Sequence, residues 1–385
     1  MQNSNRPLER VFLFGKQPRF DLSFFLLAII IAVFGSLMVF SAGSAYASFR
    51  YNDSLFFVKR QIVWLFLGIA VMLSASRIKP SFYFTLTPYL YVITLLLLIL
   101  VLAVGLVGNG AQRWISIGPI TIQPSEIAKL TIVMALAYYF SVYEDRAINT
   151  KNAKNKFIYG TVIPTLIIAI PILLVMLQKH LSCIIILGTI GLLVIIASGI
   201  DTKYISFFSL LGLIGVSCIA FFTDYTKNRI TVWRNPEAYQ LTGGWQTLQG
   251  LMAIGSGGLF GVGYGKSLLK HCYVSEPAND MIFAILCEEL GFVGALLTLT
   301  LFALLTVRGY KLSTLSSTVF ERLVIFGICT KIAIQVLLNV AVVTNTIPNT
   351  GISLPLFSYG GSSLIMIFFE IGIVLSFSRT AKITK

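Results

Sequence analysis

Four of the 15 acidic residues in this 385-residue chain lie in one stretch, SEPANDMIFAILCEELGF at 275–292: Glu276, Asp280, Glu288 and Glu289. Carboxylates working in pairs on glycosidic bonds stand roughly 5–9.5 Å apart. Helical spacing does not allow that here. Glu288 and Glu289 follow Asp280 by eight and nine residues, about 12–14 Å along a helix at 1.5 Å per residue. At about 100° per residue Glu289 also points nearly opposite to Asp280. Asp280 therefore stands alone, just ahead of the apolar run MIFAIL. It suits either a helix N-cap or a single general base. Glu288 and Glu289 sit deeper in the apolar run, where an ionised group needs a partner, and read as structural pairs. Glu276 reads as a solvated loop acid.

Other polar residues fall at informative spacings. Glu126 and Lys129 are i, i+3 and can pair on one helix face. Arg113 and Trp114 precede them in a loop; the guanidinium could hold a phosphate, and the indole could equally anchor at a membrane interface. Lys331, Gln335 and Asn339 recur every four residues as a polar stripe, suited to interhelical hydrogen bonds or to the wall of a site. GVGYGKS (261–267) imitates a phosphate loop, but Phe260 occupies the place of its first glycine and no buried strand precedes it. The glycines of AIGSGGLFGVGYG read instead as flexible backbone near a ligand or as a re-entrant turn. His180 and His271 are isolated and the five cysteines lack metal-ligand spacing, so no metal site or disulfide framework is expected.

The elements that must position these residues are membrane helices. The chain is 56% hydrophobic and 11% charged, with a mean hydropathy of +0.86, beyond the range of soluble domains. Apolar runs of about 18 residues or more, enough to cross roughly 30 Å of hydrocarbon, predict spans near 21–42, 61–76, 83–105, 125–142, 158–177, 183–200, 204–222, 281–307, 322–342 and 363–378. The expected fold is all-α: a polytopic integral membrane bundle of about ten helices, 1–385 forming a single membrane domain. A large extracytoplasmic loop, 223–280, joins spans 7 and 8. The N-terminal run is long and has no small-residue cleavage site, so it reads as an uncleaved first span.

The net charge of +14 could suggest nucleic acid as a partner, but its distribution excludes that class. More than half of the lysines and arginines lie in the N-terminus, the even-numbered turns and the C-terminal RTAKITK. This positive-inside bias puts both termini, 1–20 and 379–385, in the cytoplasm. The Gly/Pro-rich polar loops 108–126, 178–182, 223–279 and 344–363 then share the outer face, where they describe an extracytoplasmic site. Arg234, Lys266 and Lys270 belong to the same face.

GAQRWISIGPITIQPSEIAKL (110–130), AIGSGGLFGVGYGKS (253–267) with PANDMIFAILCEELG (277–291), and PNTGISLPLFSYGGSSL (348–364) resemble the signature segments of the SEDS family of RodA, FtsW and SpoVE proteins, in the family's order. The GSGGLFGVG and QKHLS wording is nearer to the division and sporulation members. The resemblance covers nearly the whole chain. It implies a peptidoglycan glycosyltransferase of the bacterial plasma membrane that polymerises lipid II beside a class B penicillin-binding protein, within the divisome or elongasome. Asp280 is then the general base for the acceptor hydroxyl. Arg113, Lys129, Arg234, Lys266 and Lys270 are candidates to offset the leaving diphosphate. Trp114, Glu126, Lys331, Gln335, Asn339, Ser358, Gly360 and Ser362 complete the candidate substrate-binding set, and no protein metal site is expected. No cofactor is obligatory, with a divalent cation, Mg or Mn, as an optional aid. The chain departs from the family where SEPANDMIFA replaces PEAHTDFIFA, keeping only the aspartate, and where QKHLS replaces the usual Pro-Asp-x-Gly-Thr. A lipid II flippase and a non-catalytic scaffold are the competing readings.

Overall fold

The computed structural model describes residues 20–381 except 109–110, 119, 201–211, 213–214, 216–223 and 242. Among the described residues, eight helical segments are long and apolar enough to cross a membrane. They are α1 (Leu22–Tyr51), α2 (Phe56–Arg77), α3 (Pro80–Val104), α4 (Pro124–Val142), a continuous segment Ala153–Leu177, α11 (Ile282–Leu315), α12 (Val319–Val343) and α13 (Gly361–Ser378). A short helix, α5 (Glu144–Ala147), precedes Ala153–Leu177, which consists of α6 (Ala153–Phe157), one π turn and α7 (Ile163–Leu177). A ninth apolar helix, α8 (Leu181–Ala197), is shorter. Nine of the ten predicted spans thus coincide with helices, and the remaining one, 204–222, lies outside the described residues except for 212 and 215. The expected tails 1–20 and 379–385 lie largely outside them too.

Local chemistry sets the helix ends. Asp21 caps α1 by accepting from the Phe24 amide at 2.8 Å, and Thr318 caps α12 through the Glu321 amide at 3.2 Å. Pro80 and Pro124 open α3 and α4, where a missing N–H costs nothing. Within the bundle, α4, α12 and α13 are the central helices: their apolar windows are 72%, 67% and 67% buried, against at most 39% for the other long spans. α2 lies along α13, α11 along α12 and α3 along α4. Close approach depends on small residues: a Cβ on Gly372 of α13 would sit 2.6 Å from the Met72 carbonyl of α2. The outer helices present apolar side chains such as Leu26, Ile30, Val33 and Leu37 at helical spacing, as a lipid-facing surface should.

Two features differ from the sequence reading. The segment 108–126 is a small antiparallel sheet, β1 (Leu106–Gly108), β2 (Ala111–Ile117) and β3 (Ile120–Ile122), with Ile115 opposite Ile122. The alternating ISIGPITI supports a hairpin there, because Gly118 takes φ +63 at the turn. The second difference is a break inside α11 at Gly291 (φ 66, ψ −165).

The break is filled by the glycine run that follows α10 (Gly244–Gly257), which comes after α9 (Asp224–Arg234) and a short 3-10 turn (Pro236–Tyr239) among the described residues of the segment 224–280. Val262 and Gly263 donate to the Glu288 and Glu289 carbonyls at 3.0 Å each, while Phe292 and Val293 donate to Gly258 and Leu259 at 3.0 and 3.1 Å. Broken backbone within a bundle is tolerated when its polar groups are met in this way. A Cβ on Gly257 would stand 1.9 Å from the Cys287 carbonyl. The glycines therefore permit backbone-to-backbone packing.

Candidate active site

One cavity of about 940 Å³ opens at the end of the bundle that carries the sheet. All four loop regions that the sequence groups on one face contribute to it. Its walls come from the start of α2, from β2 and β3, from α4, from the turn before α8, from Glu276–Asp280, from Gln335 of α12 and from residues 351–363.

Asp280 lies in this wall, one residue short of the α11 N-cap Met281. It does not cap the helix. Its backbone is clamped from two sides. Asn339 Nδ2 donates to the Asp280 carbonyl at 2.8 Å and to the Ile352 carbonyl at 2.7 Å. Ser358 Oγ donates to the Asn279 carbonyl at 2.6 Å, and the Tyr359 amide to the Ala278 carbonyl at 2.8 Å. Gly351, at φ +67, brings backbone close: a Cβ there would lie 3.7 Å from Asp280 Oδ2. Among the described residues the carboxylate takes one side-chain hydrogen bond, from Gln246 Nε2 of α10 to Oδ2 at 3.3 Å, and its buried Oδ1 has no partner. Burial pushes this carboxyl up to about 6; the Glu276 charge adds to the rise, and the Gln246 bond works against it.

The same cavity is also lined by basic residues. Glu126 and Lys129 pair at 2.7 Å on α4. Arg113 reaches from β2 to the Lys179 carbonyl at 2.5 Å, while its Nε is buried without a partner. Trp114, Gln335, Gly360 and Ser362 also line the cavity. Sequence reasoning missed several neighbours. Lys59, Arg60 and Trp64 of α2 line the same cavity; the two cations read only as loop charge in the sequence. His180 lines it too. Burial pushes that imidazole down to about 3, with the Arg113 and Lys129 charges adding to the fall, so it is neutral. Its Nδ1 lies 3.4 Å from both Gln123 Nε2 and Ser125 Oγ. No sequence signal distinguishes Gln246.

Six candidates fall elsewhere, and their placement corrects the sequence reading. Lys270 is buried and holds Glu289 at 2.9 Å, beside Ser41, because the loop after the glycine run folds back on α1 and α11. Glu288 takes bonds from Ser267 Oγ at 2.5 Å and from the Leu268 amide at 2.9 Å, so both glutamates are structurally paired. Lys331 is buried against Glu370 of α13 at 2.5 Å, off the cavity surface. Asn339 and Ser358 act on the backbone of 279–280 and do not face the cavity. Arg234 ends α9 and Lys266 follows the glycine run; both are exposed and outside the cavity lining.

Among the described residues no three His, Cys, Asp or Glu side chains converge on a metal position. The cavity carboxylates do not fit a resident ion: Glu126 is engaged by Lys129, and Asp280 and Glu276 gather no further ligand.

Residues 21–383 match the model of the FtsW/RodA/SpoVE "Cell cycle protein" family. The chain is 37% identical to stage V sporulation protein E of Bacillus subtilis over 365 residues, 94% of this chain and 98% of that one. It is 33% identical to a probable peptidoglycan glycosyltransferase FtsW of Geobacter metallireducens over 367 residues, 94% and 96% of the two chains. Among solved structures, a chain of a peptidoglycan synthase complex that coordinates polymerization and crosslinking superposes with a TM-score of 0.78 at 28% identity, covering 95% of this chain and 99% of its own.

Proposed function

The chain belongs to the FtsW/RodA/SpoVE cell cycle protein family, and from that membership we infer that it is a peptidoglycan glycosyltransferase, the activity named for its FtsW relatives. We propose that it polymerises lipid II at the outer face of the plasma membrane. The observation that carries the mechanism is the composition of the cavity: a carboxylate whose Oδ1 has no partner among the described residues, in a cavity that several cations also line.

Asp280 Oδ1 accepts the proton of the acceptor's GlcNAc 4-hydroxyl as that oxygen attacks the anomeric carbon of the lipid-linked MurNAc. The C–O bond to diphosphate breaks, its electron pair leaves with undecaprenyl diphosphate, and the anomeric centre inverts. Diphosphate is already a good leaving group, so charge stabilisation replaces a second catalytic carboxyl. Arg113 and Lys129, with Lys59 and Arg60, supply it. Trp114, Glu126, Gln335, Gly360 and Ser362 bind the remaining substrate surface. This chain's carboxylates would not hold a divalent cation; one brought with the substrate would add charge stabilisation to that of Arg113, Lys129, Lys59 and Arg60. A class B penicillin-binding protein is the proposed partner, a reading supported by the synthase complex to which the chain is similar. The similarity to stage V sporulation protein E supports a division or sporulation setting.

The test is polymerisation of fluorescent lipid II by the purified protein with its transpeptidase partner, read as glycan ladders on a gel. Wild type makes ladders, and Asp280→Asn loses them by at least about 10²-fold, the scale of general-base catalysis. Equal ladders from both would overturn the base assignment. Ladders absent from both, with lipid II crossing liposome membranes, would make the protein a transporter. Unchanged synthesis under EDTA would remove the cation.

A further inference from the structure

We propose that Gln246 is a positioning residue for the reaction: its side-chain amide holds Oδ2 of Asp280 and so turns the partner-free Oδ1 toward the acceptor hydroxyl. The proposal rests on Asp280 being the general base.

The clamps on this loop leave the carboxylate itself undetermined. Asn339, Ser358 and Tyr359 all act on backbone groups of 278–280. Among the described residues, Gln246 alone donates a side-chain hydrogen bond that restrains rotation of the Asp280 carboxylate. A general base needs one oxygen within reach of the hydroxyl, with its orientation set before substrate arrives. Holding Oδ2 achieves this and leaves Oδ1 open.

The helix that carries Gln246 is itself fixed at both ends. Its neighbour Trp245 donates from Nε1 to the Tyr273 carbonyl at 2.8 Å. Further along, α10 meets α11 at Gly250, where a Cβ would lie 2.4 Å from Met281 Cε, and at Gly257 against the Cys287 carbonyl. Gln246 therefore reaches Asp280 from a rigid support.

An amide N–H donated to a carboxylate favours the ionised form. The charged groups facing Asp280 are Glu276 on its own segment, which disfavours ionisation, and Arg229 on α9, which favours it. α12 and the 351–363 loop face it with Asn339 and Gly351, which do not titrate. The cavity's remaining titratable groups, Lys59, Arg60, Arg113, Glu126, Lys129 and His180, stand on the walls from α2, β2, α4 and the turn before α8. Loss of the Gln246 bond therefore moves Asp280 protonation to higher pH.

The experiment is the pH profile of glycan synthesis in the complex with its transpeptidase, for wild type, Gln246→Ala, Gln246→Glu and Asp280→Asn. The acid limb of Gln246→Ala is expected to move up by about one pH unit, the value of one hydrogen bond to a charged group. Gln246→Glu, isosteric but a like charge, is expected to move it further, and with the carboxylate free to turn, both variants stay below the wild-type rate on the alkaline plateau. Rates lowered by one factor at every pH with the acid limb unmoved would make Gln246 a structural residue and overturn the proposal. An active Asp280→Asn would instead overturn the reading on which it rests. An inactive Asp280→Asn beside an unshifted Gln246→Ala limb would overturn the positioning role alone.

Discussion

Asp280 keeps one buried carboxylate oxygen without a partner, and an unmet acceptor of that kind opposes folding. Its folded-state pKa of about 6 lies above the value near 3.9 of an unfolded chain. Between those values the folded state binds more protons, so stability falls as pH rises and the whole cost is present above pH 6. Asp280→Asn removes that cost. The variant is expected to melt at a higher apparent temperature than wild type near pH 7.5 and to lose this advantage toward pH 4, while making no glycan. Scanning fluorimetry in detergent at the two pH values checks it, and identical melting near pH 7.5 would contradict the buried, unpaired carboxylate. Burial, with the Arg113 and Lys129 charges beside it, likewise favours the neutral form of His180, so the cavity gathers positive charge from lysine and arginine without help from the imidazole.

The broken helix α11 is the element on which the site depends, because it begins one residue from Asp280's neighbour Met281 and is held by the loop after α10. Where two backbones touch, a methyl group has no space. Gly257→Ala and Gly291→Ala are therefore expected to lower the yield of folded protein sharply. Gly255→Ala on the same α10, with nothing within 4 Å of its Cβ position, is expected to leave it unchanged; size-exclusion profiles compare the three. The buried pair Lys270–Glu289 serves the same junction. Lys270→Met strands a fully buried carboxylate, a loss of about 3–5 kcal/mol, and adding Glu289→Gln is expected to recover most of the folded yield and the activity. A folded but inactive double variant would return Lys270 to the substrate-binding set.

At the scale of the whole molecule, the orientation proposed from the basic loops places the cavity outside the cell. Cys272 is exposed on the segment between α10 and α11, whereas Cys183, Cys287 and Cys329 are buried. In a Cys218→Ser background, a membrane-impermeant maleimide applied to intact cells is expected to label the protein, and not after Cys272→Ser is added; labelling that needs a broken membrane would invert the orientation. The membrane class and nine of the described helices were legible because an apolar run long enough to cross a bilayer is a local property, present in consecutive residues. Glu126 and Lys129 were legible as a pair for the same reason, since helical periodicity places i and i+3 together. The opening quartet of acids was also divisible by helical spacing, although α11 breaks at Gly291. The convergence of Lys59, Arg113, His180 and Asp280 on one cavity was not legible, nor were Lys270 and Lys331 as partners of Glu289 and Glu370. Those residues lie tens to hundreds of positions apart, and each fits an open cavity or a buried pair equally well until packing chooses. Consecutive residues were enough to specify a polytopic membrane protein with its polar loops on one face. Which charges neutralise one another inside the bundle, and which are left to meet a substrate, followed from packing, because burial and partner distance depend on contacts between distant segments.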